Sequence, residues 1–199
     1  MKLYYSPGAC SLAPHIIALE AGIPLELVKV DLKAHTLASG EDYYKINPKG
    51  YVPALQLDDG TLLTEGPAID QYLADSKPDA HLLPVSGDDR YKVISWLGFI
   101  NSELHKNFGP LFNAASSDEA KANARAAIVK RFDYVNSELA GKTFLVGGTF
   151  TVADAYLFVI TTWAHHVKID LPPNLRGFFA EVSKRPKVHQ AMKDEGLVK

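Results

Sequence analysis

The chain of 199 residues has a single cysteine, Cys10, and no apolar stretch as long as a membrane span. One thiol cannot form an intramolecular disulfide, which excludes a disulfide-built secreted fold. The chain also has no large excess of one charge sign. Its 21 lysine and arginine residues nearly balance its 23 aspartate and glutamate residues, which gives a net charge of −2. This balance gives no reason to expect nucleic acid or an anionic membrane as a partner. No signal-peptide pattern is present, so we expect a cytoplasmic protein.

The short motifs that mark metal and nucleotide sites are absent as well. The sequence contains no H-E-x-x-H pattern, no cysteine and histidine cluster, no P-loop and no G-x-G-x-x-G pattern. His165 and His166 would point about 100° apart on a helix, which makes them poor co-ligands. We therefore predict no metal ion. The composition, 47% hydrophobic and 22% charged, is that of a globular protein with a real core.

The N-terminal part alternates between strand and helix patterns. Strands are predicted at residues 2–5, 25–30, 52–57 and 61–64, and helices at residues 11–22 and 65–74. Asp58-Asp59-Gly60 is a hairpin signal, so the last two strands should be antiparallel. The polar stretch of residues 31–50 leaves room for another helix. The order β-α-β-(α)-β-β-α on a four-stranded sheet predicts an α/β, thioredoxin-like unit.

Prolines, a glycine and scattered charge at residues 75–88 indicate a domain boundary. Beyond it the hydrophobic period becomes helical. The apolar stripe of the first helix there consists of Val93, Leu97, Ile100, Leu104 and Phe108. We therefore predict a thioredoxin-like domain at residues 1–78, a linker at residues 79–88 and an all-α domain at residues 89–199.

Cys10 lies where the first strand should turn into the first helix. A sulfur at a helix N-terminus meets unsatisfied backbone N–H groups and the positive end of the helix dipole. Such positions lower the pKa of a thiol from about 8.5 to roughly 3.5–7.5, which favours the thiolate. The alternative is that Cys10 is a buried residue that packs like a small apolar side chain, as many single cysteines do. Position 13 is alanine, so no resolving thiol stands there. We expect a small thiol-bearing ligand, which Cys10 either hydrogen-bonds or holds in a mixed disulfide.

Two further segments of the first domain carry candidate binding groups. A cis bond between Val52 and Pro53 would turn the Val52 N–H and C=O outward, ready to pair with a peptide-like ligand. The Gly66 amide, at the start of the next helix, is a candidate site for a ligand carboxylate. Glu65 beside it could receive an ammonium group, or could simply be favourable at a helix N-terminus.

The helix after the linker has a second face. Gly98, Ser102 and His105 are spaced i, i+4 and i+7, away from the apolar stripe. His105 is either a surface histidine or, if a ligand site lies opposite, a group that donates to a thiolate or accepts a thiol proton. Its reference pKa of about 6.5 suits either task near neutral pH.

Four motifs stand in order along the chain: YSPGACS at residues 5–11, NPKGYVPAL at 47–55, LLTEG at 62–66 and SELH at 102–105. Together they resemble the bacterial beta-class glutathione S-transferases, and the resemblance continues through residues 150–158 and 185–188. It implies a glutathione transferase fold, in which the thioredoxin-like domain binds glutathione and the helical domain supplies most of the electrophile pocket. It also implies a homodimer with sites near the dimer cleft.

Carried over residue by residue, the resemblance implies that Cys10 contacts the glutathione sulfur and that Val52 pairs with the cysteinyl backbone. Glu65 and Gly66 would hold the γ-glutamyl end. The remaining glutathione contacts would come from Leu32, His35, Tyr51, Ser102 and His105, and the catalytic candidates are Cys10, Ser11 and His105.

Two positions depart from the family's pattern. His35 stands where members often have lysine, and it would hold the glycyl carboxylate less firmly because histidine is mostly neutral near pH 7. Gly98 stands where members often have asparagine, and its missing side chain would widen the pocket or remove a polar contact.

We therefore predict a detoxifying glutathione transferase that joins the glutathione thiol to small aromatic or chlorinated electrophiles. Glutathione would be the co-substrate. One alternative is glutathione-dependent thiol–disulfide exchange, in which a second glutathione resolves a mixed disulfide at Cys10. The other is a non-catalytic binder with the same fold. The presence of Cys10, Glu65 and His105 together favours catalysis, because a binder needs no reactive sulfur.

Overall fold

A five-stranded mixed sheet is the centre of the first of two units. The structure is a computed structural model that describes residues Met1–Lys199. The strands are β1 (Lys2–Tyr5), β2 (Glu26–Asp31), β3 (Thr36–Leu37), β4 (Ala54–Gln56) and β5 (Leu62–Thr64). Their spatial order is β3-β2-β1-β4-β5. β1 is parallel to β2 and antiparallel to β4, and the pairs β2–β3 and β4–β5 are antiparallel. The predicted thioredoxin-like order is confirmed.

Two details of the sheet differ from the prediction. β4 begins at Ala54 rather than at Val52, because Pro53 has no N–H to give to the strand ladder. The polar stretch holds the extra strand β3 and the 3-10 turn Tyr43–Lys45 in place of a helix. The ring of Tyr43 is fully buried and contacts the ring of Tyr4, so this stretch packs against the core of the sheet.

The α-helices fall into two groups. Their bounds are α1 (Leu12–Ala21), α2 (Gly66–Asp75), α3 (Asp88–Phe99), α4 (Lys106–Phe112), α5 (Asp118–Glu138), α6 (Val152–His166), α7 (Pro173–Ser183) and α8 (Pro186–Asp194). The first unit contains α1, α2 and α8, with α1 packed against both α2 and α8. The second unit contains α3 to α7. No helix has both the length and the apolar character that a membrane span needs.

The second unit is all-helical, as predicted, and its core follows the apolar stripe. The five stripe residues named above are all fully or almost fully buried. The π-helical turn Ile100–His105 connects α3 to α4. A capping box begins α6, in which Thr151 and Asp154 satisfy each other's backbone amides. α6 itself is buried along almost its whole length.

The last segment of the chain packs differently from the prediction. The two units are Met1–Leu83 with Arg185–Lys199, and Pro84–Lys184. The segment that contains α8 thus belongs to the first unit, although residues 89–199 were assigned to the helical domain. Val188 and Ala191 are fully buried on α8, which packs against α1. Arg185 also forms a two-pronged ion pair with Glu20, at 2.7 and 2.9 Å.

Candidate active site

The loop between β1 and α1 holds Cys10 against the segment before β4. The Cys10 Sγ donates a hydrogen bond to the carbonyl oxygen of Val52 at 3.2 Å. Ser11 is fully buried, and its Oγ accepts from the Ser6 N–H at 3.2 Å and donates to the Ser6 carbonyl at 3.3 Å. The Ser11 hydroxyl is therefore occupied in closing the loop, while Cys10 is only partly buried.

Although the Cys10 residue keeps some exposed surface, burial of its sulfur away from water raises the pKa of the thiol to about 12. The backbone amides of Cys10 and Ser11 lower this pKa, as expected at a helix start, and the carboxylates of Asp70 and Glu65 raise it. The expectation of a thiolate at Cys10 is therefore wrong. Near neutral pH the group is a neutral thiol, and it acts as a hydrogen-bond donor.

The Val52–Pro53 peptide bond is cis, the isomer considered from the sequence. The preceding residue, Tyr51, is fixed through its carbonyl oxygen, which accepts hydrogen bonds from the Tyr43 hydroxyl at 2.9 Å and the Asn47 Nδ2 at 2.8 Å. Tyr43 and Asn47 are both buried, so the segment is held from inside the unit. The pairing of Val52 with a peptide-like ligand stays a prediction.

Glu65 is the residue before the first residue of α2. Its φ of 70° lies in the left-handed region, which non-glycine residues rarely adopt and which clusters at functional sites. Its carboxylate is 63% exposed and pairs with the Lys49 Nζ at 2.6 Å. Lys49 also donates to the Thr64 Oγ1 at 3.0 Å. Because Gly66 begins α2, its N–H is one of the amides that have no partner within the helix.

The other predicted residues of the first unit lie in the two loops before β4. Leu32 and Tyr51 are both exposed, Tyr51 by 72%. His35 packs on Tyr44 with ring centroids 4.6 Å apart, and its Nδ1 is buried without a hydrogen-bond partner. Gly50, with φ of 70°, leaves room for both rings, because a Cβ there would come within 2.6 Å of Tyr44.

His105 ends the π-helical turn of the second unit. Its Nδ1 is hydrogen-bonded to the Tyr156 hydroxyl, which donates its own proton to the Asn101 Oδ1 at 3.1 Å. The Trp163 ring packs edge-on at a centroid distance of 4.8 Å. Burial lowers the pKa of His105 to about 4. The reference pKa of about 6.5 therefore does not apply to His105, which is neutral at neutral pH.

The predicted polar face of this helix is only partly formed. Gly98 and Ser102 are exposed, and the Ser102 hydroxyl donates to the Gly98 carbonyl at 3.0 Å. His105 is half-buried among Tyr156 and Trp163 instead. A π-helical turn is wider than an α-helical one, so counting at 100° per residue does not fix the directions of Ser102 and His105, although Leu104 and Phe108 of the apolar stripe are still buried.

Two family models match the chain. "Glutathione S-transferase, N-terminal domain" matches residues 8–76, and "Glutathione S-transferase, C-terminal domain" matches residues 99–186. The curated relative "Glutathione S-transferase GstA" from Escherichia coli O157:H7 is 51% identical over 200 residues, covering 99% of this chain and 100% of the relative. The chain belongs to the glutathione S-transferase family.

Solved structures narrow the class of this transferase. It is similar to a structure described as "Ternary complex of BphK, a bacterial GST", with a TM-score of 0.97 and 53% identity over 99% of this chain and 100% of that chain. It is also similar to a beta-class glutathione S-transferase of Sphingomonas chungbukensis, with a TM-score of 0.96 and 50% identity over 100% of both chains. A sphingomonad glutathione S-transferase complexed with glutathione matches with a TM-score of 0.95 and 48% identity over 100% of both chains. The beta-class resemblance is confirmed.

The family assignment decides between an enzyme and a non-catalytic binder, the two classes of protein considered from the sequence. This glutathione S-transferase is an enzyme with glutathione as co-substrate, not a non-catalytic binder. No group of three or more histidine, cysteine, aspartate or glutamate side chains is arranged to hold a metal ion.

Sequence reasoning missed several groups that surround the predicted residues of the transferase. Lys49, Tyr156 and Trp163 were not singled out as site residues, although Lys49 contacts Glu65 and the two aromatic residues contact His105. Asp70 was not singled out at all. Its position between the apolar Ile69 and Leu73 was the available signal for a buried acid.

Proposed function

We propose that this glutathione S-transferase joins the glutathione thiol to small aromatic or chlorinated electrophiles, with Cys10 as a neutral hydrogen-bond donor to the glutathione sulfur. The supporting observation is that the Cys10 thiol stays protonated near neutral pH. Its single hydrogen, which the Val52 carbonyl accepts in the free enzyme, would turn to the glutathione sulfur when that carbonyl pairs with the cysteinyl backbone. A fixed donor stabilises a thiolate on the co-substrate, and that thiolate is the nucleophile. Because Cys10 is not ionised, it attacks disulfides poorly. Conjugation is therefore favoured over thiol–disulfide exchange.

The charges at the start of α2 support binding of the γ-glutamyl end of glutathione. That end carries a carboxylate and an ammonium group on one carbon. The Gly66 amide and the Lys49 ammonium suit the carboxylate, and Glu65 suits the ammonium. The Val52 backbone would pair with the cysteinyl part. In the same proposal Leu32, His35 and Tyr51 contact the glycyl part, where the unpartnered His35 Nδ1 would gain a hydrogen bond.

For Ser102 and His105 the resemblance predicts a role in the same reaction. With its Nδ1 engaged by Tyr156, His105 has Nε2 left to bind a ligand. Because the Tyr156 hydroxyl gives its proton to Asn101, the neutral ring carries its hydrogen on Nδ1, so Nε2 can accept a hydrogen bond from the glutathione thiol, or its proton, but cannot donate to the thiolate. Ser11, by contrast, is assigned to the shape of the Cys10 loop, since its hydroxyl is held by Ser6.

The test compares Cys10→Ala with Cys10→Ser, which keeps a donor. We expect Cys10→Ala to lower conjugation of a chlorinated nitroaromatic roughly fivefold, the effect of one hydrogen bond of about 1 kcal/mol. Cys10→Ser should keep most of that rate, and neither variant should form a glutathione adduct. Equal loss of conjugation in both variants, or wild-type thiol–disulfide exchange that disappears in Cys10→Ala, would contradict the proposal.

The assembly and setting of the enzyme belong to the same proposal. The family resemblance supports a cytoplasmic homodimer with a detoxifying role. Light scattering on the purified enzyme should give twice the mass of one chain, and the mass of a single chain would contradict the homodimer.

A further inference from the structure

The Tyr156 hydroxyl lies between two side chains of the π-helical turn. Tyr156 is almost fully buried on α6, which packs against this turn. Its hydroxyl donates its proton to the Asn101 Oδ1 at 3.1 Å and is also hydrogen-bonded to the His105 Nδ1. Asn101 is the second residue of the turn and His105 is the last. One buried hydroxyl of the second unit therefore connects an amide oxygen to a histidine ring.

The hydrogens available to these three side chains fix the direction of both hydrogen bonds. A tyrosine hydroxyl has one hydrogen, and the amide oxygen of asparagine only accepts. Because the hydrogen of Tyr156 goes to Asn101, its oxygen is left to accept from the His105 ring. The neutral imidazole then carries its hydrogen on Nδ1, and Nε2 is the acceptor nitrogen.

The His105 ring is also fixed in its orientation. The rings of Trp163 and Tyr156 pack edge-on against it, at centroid distances of 4.8 and 6.0 Å. Turning the imidazole by about 180° would place a carbon atom at the Tyr156 hydroxyl instead of Nδ1, with loss of the hydrogen bond. The two ring nitrogens therefore keep different partners.

We propose that Asn101 and Tyr156 are positioning residues that fix the tautomer of His105, with the ring hydrogen on Nδ1 and with Nε2 as a hydrogen-bond acceptor. Asn101 acts through Tyr156, because it takes the hydroxyl hydrogen and so leaves the hydroxyl oxygen for the ring. Without the Asn101 oxygen, the Tyr156 hydrogen would turn to Nδ1, and the ring hydrogen would move to Nε2. The inference rests on the proposed function only for what Nε2 does with glutathione.

The low pKa of His105 agrees with this arrangement. Burial lowers the pKa to about 4, so the ring near neutral pH is the neutral form, which has a single hydrogen. Which nitrogen holds that hydrogen decides whether His105 accepts from a thiol or donates to a thiolate.

The experiment is nitrogen-15 NMR of the free, full-length enzyme, labelled on histidine, near neutral pH. Ring nitrogens with and without a hydrogen give well-separated resonances. The chain has seven histidines, so the His105 signals are identified by their loss in His105→Gln. We expect the wild type to carry the hydrogen on Nδ1 and Asn101→Leu to carry it on Nε2. Asn101→Asp keeps an acceptor oxygen and should keep the wild-type tautomer.

Asn107→Leu is the matched control. The Asn107 Nδ2 donates to the Glu103 carbonyl of the same turn at 2.6 Å, so this variant disturbs the turn but leaves the acceptor of the Tyr156 hydrogen in place. It should keep the wild-type tautomer, whereas a merely structural role of Asn101 would produce the same change in both leucine variants.

Three results would overturn the inference: a wild-type Nδ1 without hydrogen, an unchanged tautomer in Asn101→Leu, or an equal change in Asn107→Leu. If Asn101→Leu does not fold, Tyr156→Phe removes the hydroxyl and should leave both tautomers populated. A single Nδ1-protonated form in Tyr156→Phe would equally overturn the inference.

Conjugation assays on the same variants separate this inference from the proposed function. A hydrogen on Nε2 cannot accept from the glutathione thiol, so Asn101→Leu should lower conjugation at saturating glutathione roughly fivefold, the effect of one hydrogen bond. Asn101→Asp should keep most of the rate. A changed tautomer with an unchanged rate would support the roles of Asn101 and Tyr156 and contradict the role of His105 in the proposed function.

Discussion

Glu195 joins the C-terminal segment to the loop that carries Cys10. Its Oε2 accepts from the Gly8 N–H at 2.9 Å, and its Oε1 is hydrogen-bonded to the His15 Nδ1 at 3.0 Å. Both side chains of this pair are almost fully buried. Gly8 lies two residues before Cys10, and His15 lies on α1. Loss of the carboxylate should therefore destabilise the fold and disturb the loop at the same time.

The size of the effect follows from what each substitution leaves behind. Glu195→Ala removes the acceptor of the Gly8 amide and the Nδ1 partner of His15, whose Nε2 keeps its contact with Asp194 at 3.7 Å, and loss of one member of such a buried pair costs about 3–5 kcal/mol. Glu195→Gln keeps the length of the side chain and one carbonyl oxygen as acceptor. It loses the negative charge that strengthens these hydrogen bonds, which costs about 1.5–3 kcal/mol. The order of stability should therefore be wild type, Glu195→Gln, Glu195→Ala.

The assay is urea unfolding followed by circular dichroism, with glutathione affinity measured by calorimetry well below the unfolding midpoint. Glu181→Gln is the matched control, because Glu181 pairs with Lys184 at 2.8 Å on the surface. Exposed pairs contribute about 0–1 kcal/mol, so the control should unfold like the wild type. A Glu195→Ala enzyme whose free energy of unfolding lies within about 0.5 kcal/mol of the wild type would refute the reasoning.

Two further predictions concern binding and pH. Glu65→Gln should weaken glutathione binding by about 1.5–3 kcal/mol, measured by calorimetry, and leave the free energy of unfolding almost unchanged. An unchanged dissociation constant would dismiss Glu65 as the ammonium site. Because burial lowers the pKa of His105 to about 4, the unfolded chain binds a proton between about pH 6.5 and about pH 4 that the folded enzyme does not. Wild-type stability should therefore fall as pH falls through this window, and His105→Gln should remove that part of the loss in urea titrations. At saturating glutathione His105→Gln should also lower conjugation, without changing the shape of the rate profile near neutral pH; equal rates would leave His105 a structural residue.

The parts of the fold that depend on neighbouring residues could be predicted from the sequence. Strand alternation, the Asp58-Asp59-Gly60 turn and the apolar stripe from Val93 to Phe108 each depend on residues within a few positions of one another. The structure confirms the strands, the antiparallel pairing of β4 and β5 across this turn, and the buried stripe, whose burial has the helical period of the sequence pattern. The capping box at Thr151 is predictable for the same reason.

The features that the sequence could not supply depend on distant partners. The short helix α8 has an apolar side that could pack on many surfaces, and only the structure shows Val188 and Ala191 buried in the first unit. The pair of His15 and Glu195 joins residues 180 positions apart. The π-helical turn at Ile100–His105 is a local feature, yet an unbroken apolar stripe gives no sign of it.

Cys10 shows how magnitude decides between two correct physical arguments. The helix dipole stabilises a nearby negative charge by about 0.3–1 kcal/mol, and by at most about 2 kcal/mol in buried geometries. A rise in the pKa of Cys10 from 9.0 to about 12 corresponds to about 4 kcal/mol against the thiolate. Burial and the neighbouring carboxylates therefore raise the pKa of Cys10 by more than the helix dipole lowers it. The sequence position shows where the sulfur lies, but the surrounding side chains decide that it keeps its proton.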